Sequence, residues 1–203
     1  ANGVHPGTGF FQIGNSAFKP EFRNQADLGG TFSSKVLNIG ASLFANHINN
    51  YIINSRLQDA NGSDILSEIG GQEYPTYQFQ QGKVLLYGLE GNIDLHIIKN
   101  LHFENSASLI YGNNESFKGA ARNNDNRYIP QMPPFRLVSE LRYDLLENSN
   151  LFSKTFLKLQ LQYTATQNRV YSYDDTETAT KGYSLINLGF GTSLKDRNGS
   201  NIV

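Results

Sequence analysis

The sequence predicts an all-β fold: an antiparallel transmembrane β-barrel meander, of which about seven strands lie in this chain. Three observations predict it. Apolar and polar residues alternate with period two along most of the chain. The connections between alternating segments switch between tight turns and long polar loops. No segment carries a helical repeat that would supply a helix to cover a sheet.

The first strand spans Phe22 to Ser33. Phe22, Ala26, Leu28 and Phe32 fall on one face, and Arg23, Gln25, Asp27 and Thr31 on the other. The second runs from about Leu37 to Ile53, with Leu37, Ile39, Ala41, Leu43 and Ala45 opposed by Asn38, Gly40, Ser42, Phe44 and Asn46. The third is the cleanest. Leu85, Tyr87, Leu89, Gly91, Ile93, Leu95 and Ile97 alternate with Leu86, Gly88, Glu90, Asn92, Asp94 and His96. In the fourth, Leu101, Phe103, Ala107, Leu109 and Tyr111 oppose His102, Glu104, Ser106 and Ser108. In the fifth, Phe135, Leu137, Leu141, Tyr143 and Leu145 oppose Arg136, Glu140, Arg142 and Asp144. The sixth sets Leu157, Leu159, Leu161 and Tyr163 against Lys158, Gln160, Gln162 and Thr164. The seventh sets Ile186, Leu188, Phe190 and Leu194 against Tyr183, Asn187, Gly189 and Ser193.

Tight turns are expected near Ser34-Lys35, Ile98-Lys99-Asn100 and Glu147 to Asn150. Long polar loops are expected over roughly 54–80, 112–134 and 168–181. Short turns on one side and long loops on the other are the habit of an outer-membrane barrel, with the long loops outside the cell. A soluble β-sandwich also alternates, but its strands are shorter and its apolar faces meet as a core.

Composition narrows the function classes. The 203 residues carry a formal net charge of −1, so nothing electrostatic points to nucleic acid. There is no cysteine, which excludes a disulfide framework and a thiol nucleophile. Mean hydropathy is negative, and no apolar run reaches the ~18 residues of a membrane helix. Neither fact argues against a barrel, whose strands show only alternate residues to lipid.

Tyr51, Tyr111, Tyr163 and Phe135 are expected in an outer aromatic girdle, and Tyr143 and Phe156 in a lower one. Glu90, Arg136, Glu140, Arg142 and Asp144 face the lumen by parity and read as a wall network rather than an acid/base pair. His5, His47, His96 and His102 have no metal-ligand spacing. Asp59 to Asp64 reads as a plain turn, and Asp174-Asp175-Thr176-Glu177 as a solvated loop tip, with an external calcium site as its other reading. No cofactor is indicated, and no Ser/His/Asp set suggests an enzyme.

Five motifs then resemble the TonB-dependent receptors. Gly14-Asn15-Ser16-Ala17-Phe18-Lys19-Pro20-Glu21 is similar to that family's "G-N-x-x-L-K-P-E" segment, followed by Asn24 to Gly29 for "N-x-x-L-G". Phe44 to Ile52 looks like its next strand. Tyr87-Gly88-Leu89-Glu90 matches "G-x-E". Ile129-Pro130-Gln131-Met132-Pro133-Pro134-Phe135-Arg136 resembles "P-x-x-P-P-x-R", and Gly182 to Asn187 resembles "G-Y-x-L-x-N".

The resemblance implies a 22-stranded barrel of which these strands are the fourteenth to twentieth, with the plug domain, its TonB box and the final strands outside residues 1–203. It implies active import of a scarce nutrient across the bacterial outer membrane. Outer-membrane lipid surrounds the wall, and the TonB complex acts through the plug. Iron-siderophore or haem is the first expected substrate, and cobalamin or a glycan the alternative. A structural or adhesive barrel without transport is the rival reading. Within the importer reading, Arg122, Arg127, Tyr128, Arg169, Tyr171 and Tyr173 in the external loops are expected to contact the ligand by guanidinium pairing and aromatic stacking.

Overall fold

The computed structural model describes residues 2–59, 61–116, 126–148, 151–173, 177–195 and 201–202. These residues contain strands and no helix. In chain order the strands are β1 (Gly3–His5), β2 (Phe10–Ile13), β3 (Phe22–Ser33), β4 (Leu37–Arg56), β5 (Leu66–Ile69), β6 (Gln72–Ile98), β7 (Leu101–Asn114), β8 (Arg136–Asn148), β9 (Phe152–Thr164), β10 (Tyr183–Lys195) and β11 (Asn201–Ile202). The main wall is an antiparallel meander, β3-β4-β6-β7-β8-β9-β10-β11, and among the described strands both of its edges are open.

The pairing registers establish the two faces. Residues directly opposite one another share a face of the sheet. Leu37 pairs Leu95, Leu95 pairs Phe103, Phe103 pairs Leu141, Leu141 pairs Leu159 and Leu159 pairs Leu188, so one apolar row crosses six strands. One residue along, Asp94, Glu104, Glu140, Gln160 and Asn187 form a polar row on the opposite face. Leu89, Ile93, Leu159, Leu161, Leu188 and Phe190 are all solvent-exposed, Leu188 by 84%, while Leu95 is half-buried among its row neighbours. Among the described residues no second sheet packs on this face, so the sandwich reading fails, because a sandwich must bury it.

The structure departs from the expected boundaries above the wall. The expected loop over 54–80 is largely strand. β4 continues to Arg56, and β6 is 27 residues long, against the ~9–11 residues of one membrane crossing. The hairpin β5–β6 closes through Gly70 and Gly71, both at positive φ (61° and 78°), which a two-residue turn of matching twist requires. Its polar residues fit a sheet extension wetted on both faces. β7 likewise runs on to Asn114, where a loop was expected from Gly112.

The first 21 residues also hold structure that alternation did not reveal. β1 and β2 form a short antiparallel pair, and β2 lies parallel to β6 through Phe11–Thr76, Gln12–Tyr77 and Ile13–Gln78. This is the one parallel pairing among the described strands, and it adds a short strand to a wall whose own meander is antiparallel. It sits on the part of β6 beyond the reach of β7.

A bulge at Asn50 (φ 58°) changes which face the top of β4 presents. The extra residue flips the parity. Tyr51 therefore stands opposite Gly82, on the polar face, and packs against Ile48, Val84 and Ile129 instead of joining an outer girdle. Phe156 is corrected too. It alternates with Leu157 and so shares its face with Lys158, lying under the Arg142 guanidinium at 4.1 Å. Tyr111, Tyr163 and Tyr143 fall on the apolar face by register, with Tyr87 and Tyr111 stacked at 5.3 Å and the Phe135 ring 6.3 Å from that of Tyr163.

Candidate functional site

The inner face carries a connected polar network low on the wall. Lys158 Nζ and Gln160 Nε2 both donate to Glu140 Oε2, at 3.0 and 2.9 Å. Gln162 and Asn187 donate to Gln160 Oε1, at 2.7 and 3.2 Å. Arg142 Nε donates to Asp144 Oδ1 at 2.9 Å, and His102 Nε2 lies 3.0 Å from Asp144 Oδ2. His96, 3.2 Å from Asp94 Oδ2, meets the His102 ring edge-on at 4.8 Å. These contacts join residues on neighbouring strands or alternate residues of one strand, all on the same face, which is how a lumen wall satisfies its charges. Among the described residues no group of three His, Cys, Asp or Glu side chains is placed to hold a metal ion.

Higher up, two external segments fold inward over the same face. Ile129 (1% exposed) and Met132 close over Gly112, Val84 and Ile48. Gln167 Nε2 donates to the Met132 carbonyl, tying the segment after β9 to the segment before β8. Glu177 completes the fastening. Its carboxylate accepts the Gln131 amide at 3.2 Å and the Tyr171 amide at 2.9 Å. Gln131 holds φ 63°, and this amide contact secures that left-handed turn.

The strand-one motif has a mechanical role. Gln81 clasps Lys19, accepting its amide at 2.9 Å and donating to its carbonyl at 2.6 Å. Asn50 Nδ2 donates to the Pro20 carbonyl, and Glu21 Oε1 accepts the Ile52 amide at 2.8 Å, just past the bulge. Glu21 is thus the cap for a backbone group at the disrupted ladder. The turn at Asp59 is local in the same way, its Oδ1 accepting the Asn61 and Ser63 amides.

The six expected ligand contacts separate in space. Arg127 is exposed, its guanidinium 5.5 Å from the Tyr128 ring, and Tyr128 is bridged to Asn113. The Arg169 guanidinium lies 4.0 Å over Tyr111, whose position is on the apolar face. Tyr171 is 2% exposed, with its hydroxyl 3.5 Å from Ser55 Oγ and its ring 6.1 Å from Tyr173. Tyr173 is partly exposed. Arg122 lies outside the described residues. Sequence reasoning missed Gln167, Glu177, Ile129 and Met132. The "P-x-x-P-P-x-R" motif encloses Met132 and directly follows Ile129, so it held part of the signal.

A family model described as "TonB dependent receptor-like, beta-barrel" matches residues 1–199. No curated protein sequence matches the chain. Solved structures similar to it include the copper transporter OprC, at 20% identity and TM-score 0.63, over 85% of this chain and 23% of that one. The siderophore receptor PirA from Pseudomonas aeruginosa aligns at 14% identity and TM-score 0.57, over 98% of this chain and 31% of that one. A mutant of the ferric enterobactin receptor PfeA from the same organism, in complex with enterobactin, aligns at 19% identity and TM-score 0.57, over 89% of this chain and 25% of that one. The chain thus spans about a quarter to a third of these receptors, and the likeness is one of fold.

Proposed function

The chain belongs to the TonB-dependent receptor β-barrel family, and we propose on that footing that residues 1–203 are part of the barrel wall and external mouth of an outer-membrane importer. The observation that carries this reading is the split of the sheet into an exposed apolar face and an internally bonded polar face across six consecutive strands. Only surroundings that are hydrocarbon on one side and polar on the other reward that split. Both sheet edges are open, so further strands of the same polypeptide complete the wall. Coupling to the TonB complex then resides in a plug domain outside these residues.

The imported substrate is a scarce nutrient, with iron-siderophore first and haem beside it. Support comes from the siderophore and enterobactin receptors among the similar folds. A copper transporter shares the fold as well, so the substrate question is decided by uptake and not by shape. Arg127, Tyr128 and Tyr173 are the residues proposed to touch the ligand, Arg127 and Tyr128 by pairing and stacking with an anionic chelate. Arg169 and Tyr171 hold the loops that present them. Arg122 belongs to the same proposed set.

The experiment is uptake of ferric siderophores and haem by cells carrying the full-length receptor as their sole importer of this class, with and without TonB. Accumulation of one such ligand only in TonB-positive cells is the expected result. Accumulation of neither, or accumulation indifferent to TonB, overturns the reading.

A further inference from the structure

The apolar face of the wall carries a polar pair at mid-height. Ile93 pairs Asn105, Asn105 pairs Ser139 and Ser139 pairs Leu161. Asn105 and Ser139 therefore stand side by side in a row whose other members are Phe32, Ile39, Ile93, Leu161 and Ile186. Four residues of β7 separate Asn105 from the tight turn, about 10 Å of height for a tilted strand. The Tyr87–Tyr111 stack lies six residues the other way. Both positions fall well inside an apolar band of ~25 Å. An asparagine is too short to bring its amide to either edge, as a lysine would do.

Among the described residues neither the Asn105 nor the Ser139 side chain makes a hydrogen bond. β7 and β8 are already paired along both edges at this level. Completing the barrel therefore adds strands beside this face and none against it. On the Asn105 side the wall is thin: Gly30, Ala41, Gly91 and Ala107 begin the next row up, which continues above Ser139 as Leu137 and Tyr163.

We propose that this face is the contact between two copies of the receptor in the membrane, with Asn105 and Ser139 of each copy hydrogen-bonded to the same pair of the other. The inference rests on the lipid-facing reading given above. An amide and a hydroxyl each donate and accept, so like meets like across a two-fold axis and all four groups are satisfied. Acyl chains offer neither donor nor acceptor, so lipid leaves the amide bare. A different membrane protein would need its own polar group at this depth, whereas a second copy supplies one by symmetry. The Gly and Ala row lets two backbones approach closely, as small residues do between membrane helices.

The test is oxidative crosslinking of the full-length receptor in native outer membranes, with Ala107→Cys beside the polar pair and Leu188→Cys as the reference on a distant strand. Ala107→Cys is expected to give a covalent dimer and Leu188→Cys none. Adding Asn105→Leu to Ala107→Cys should lower the dimer yield by about tenfold, while heat-modifiable migration shows that the barrel has folded. No dimer from Ala107→Cys, or an unchanged yield with Asn105→Leu, overturns the proposal. A lipid-dissolved quencher separates the two readings. If it reaches a label at Leu188 and one at Ala107 equally, the contact between copies is wrong. If it fails to reach Leu188, the lipid-facing reading itself is wrong and the proposal falls with it.

Discussion

Ile129 lies so close over Gly112 that a Cβ added to the glycine would stand 2.4 Å from Ile129 Cγ1, and 2.7 Å from Met132 Sδ. The external segment before β8 is thus seated on the inner wall through a hole that only glycine leaves. Gly112→Leu should unseat that segment at a cost of about 1–3 kcal/mol, the usual range for overpacking. Limited proteolysis of intact cells checks this. Faster cleavage in the segment, with the barrel still folded, is expected, and unchanged cleavage would show that the seat does not hold the loop.

Glu177 is the clasp between the two external segments, because its carboxylate serves amides from both. Hydrogen bonds to a charged acceptor contribute about 1.5–3 kcal/mol when both groups are shielded, and less in a partly exposed site such as this. Glu177→Ala should weaken ligand binding by about three- to tenfold and leave barrel stability unchanged. Glu177→Gln keeps one acceptor oxygen and should fall between the two. Titration of ligand onto purified receptor measures it, and equal affinity across the three proteins would remove the clasp from the account.

Gly191 and Phe156 form a comparable inner pair. An added Cβ at Gly191 would meet Phe156 Cε1 and Cζ at 2.5 Å. Gly191→Ala should therefore destabilise the barrel, and Phe156→Ala in the same chain should recover part of that loss. The double mutant should be less damaged than the sum of the singles by about 1 kcal/mol. Strict additivity in urea-dependent unfolding would mean that the ring is not lodged there.

Charge placed on the two faces should act oppositely. Leu161→Arg puts a guanidinium on the apolar row and should cost about 2–4 kcal/mol, the range for arginine near the bilayer midplane. Gln160→Arg, one residue away, faces Glu140 and Asn187 and should be tolerated. Insertion and heat resistance of the two variants give the comparison. Equal damage from both would contradict the assignment of faces.

The wall was legible because period two needs no long-range information. Leu85 to Ile97 betray their face by local alternation alone, and the registers then follow from it. What alternation could not reveal depends on single residues or on contacts between distant segments. The bulge at Asn50 inserts one residue, and every later face in β4 inverts, Tyr51 first. β2 pairs with β6 across more than sixty residues of chain, and four residues such as Phe10–Ile13 carry too little pattern to announce that partner. Glu177 and Gln167 read as loop polarity because their acceptors and donors are backbone groups, which no side-chain motif encodes. Of the six expected ligand contacts, Tyr171 was taken for a surface aromatic in a polar loop, while the fold buries it beside Ser55.

The most direct measurement is a cysteine scan of the full-length receptor from Leu85 to Ile97, reading each site with a water-soluble thiol reagent and with a lipid-dissolved quencher. The expected result is alternation along the strand. Leu85, Tyr87, Leu89, Leu95 and Ile97 should respond to the quencher, Gly91 and Ile93 less because they stand opposite Ala107 and Asn105 in the proposed contact, and Leu86, Gly88, Glu90, Asn92, Asp94 and His96 should not. Extending the scan into β4 should show the phase reversing at Asn50, so that Ile48 and Tyr51 behave alike. A uniform response along the strand, or alternation in the opposite phase, would contradict a barrel wall with lipid on its apolar face.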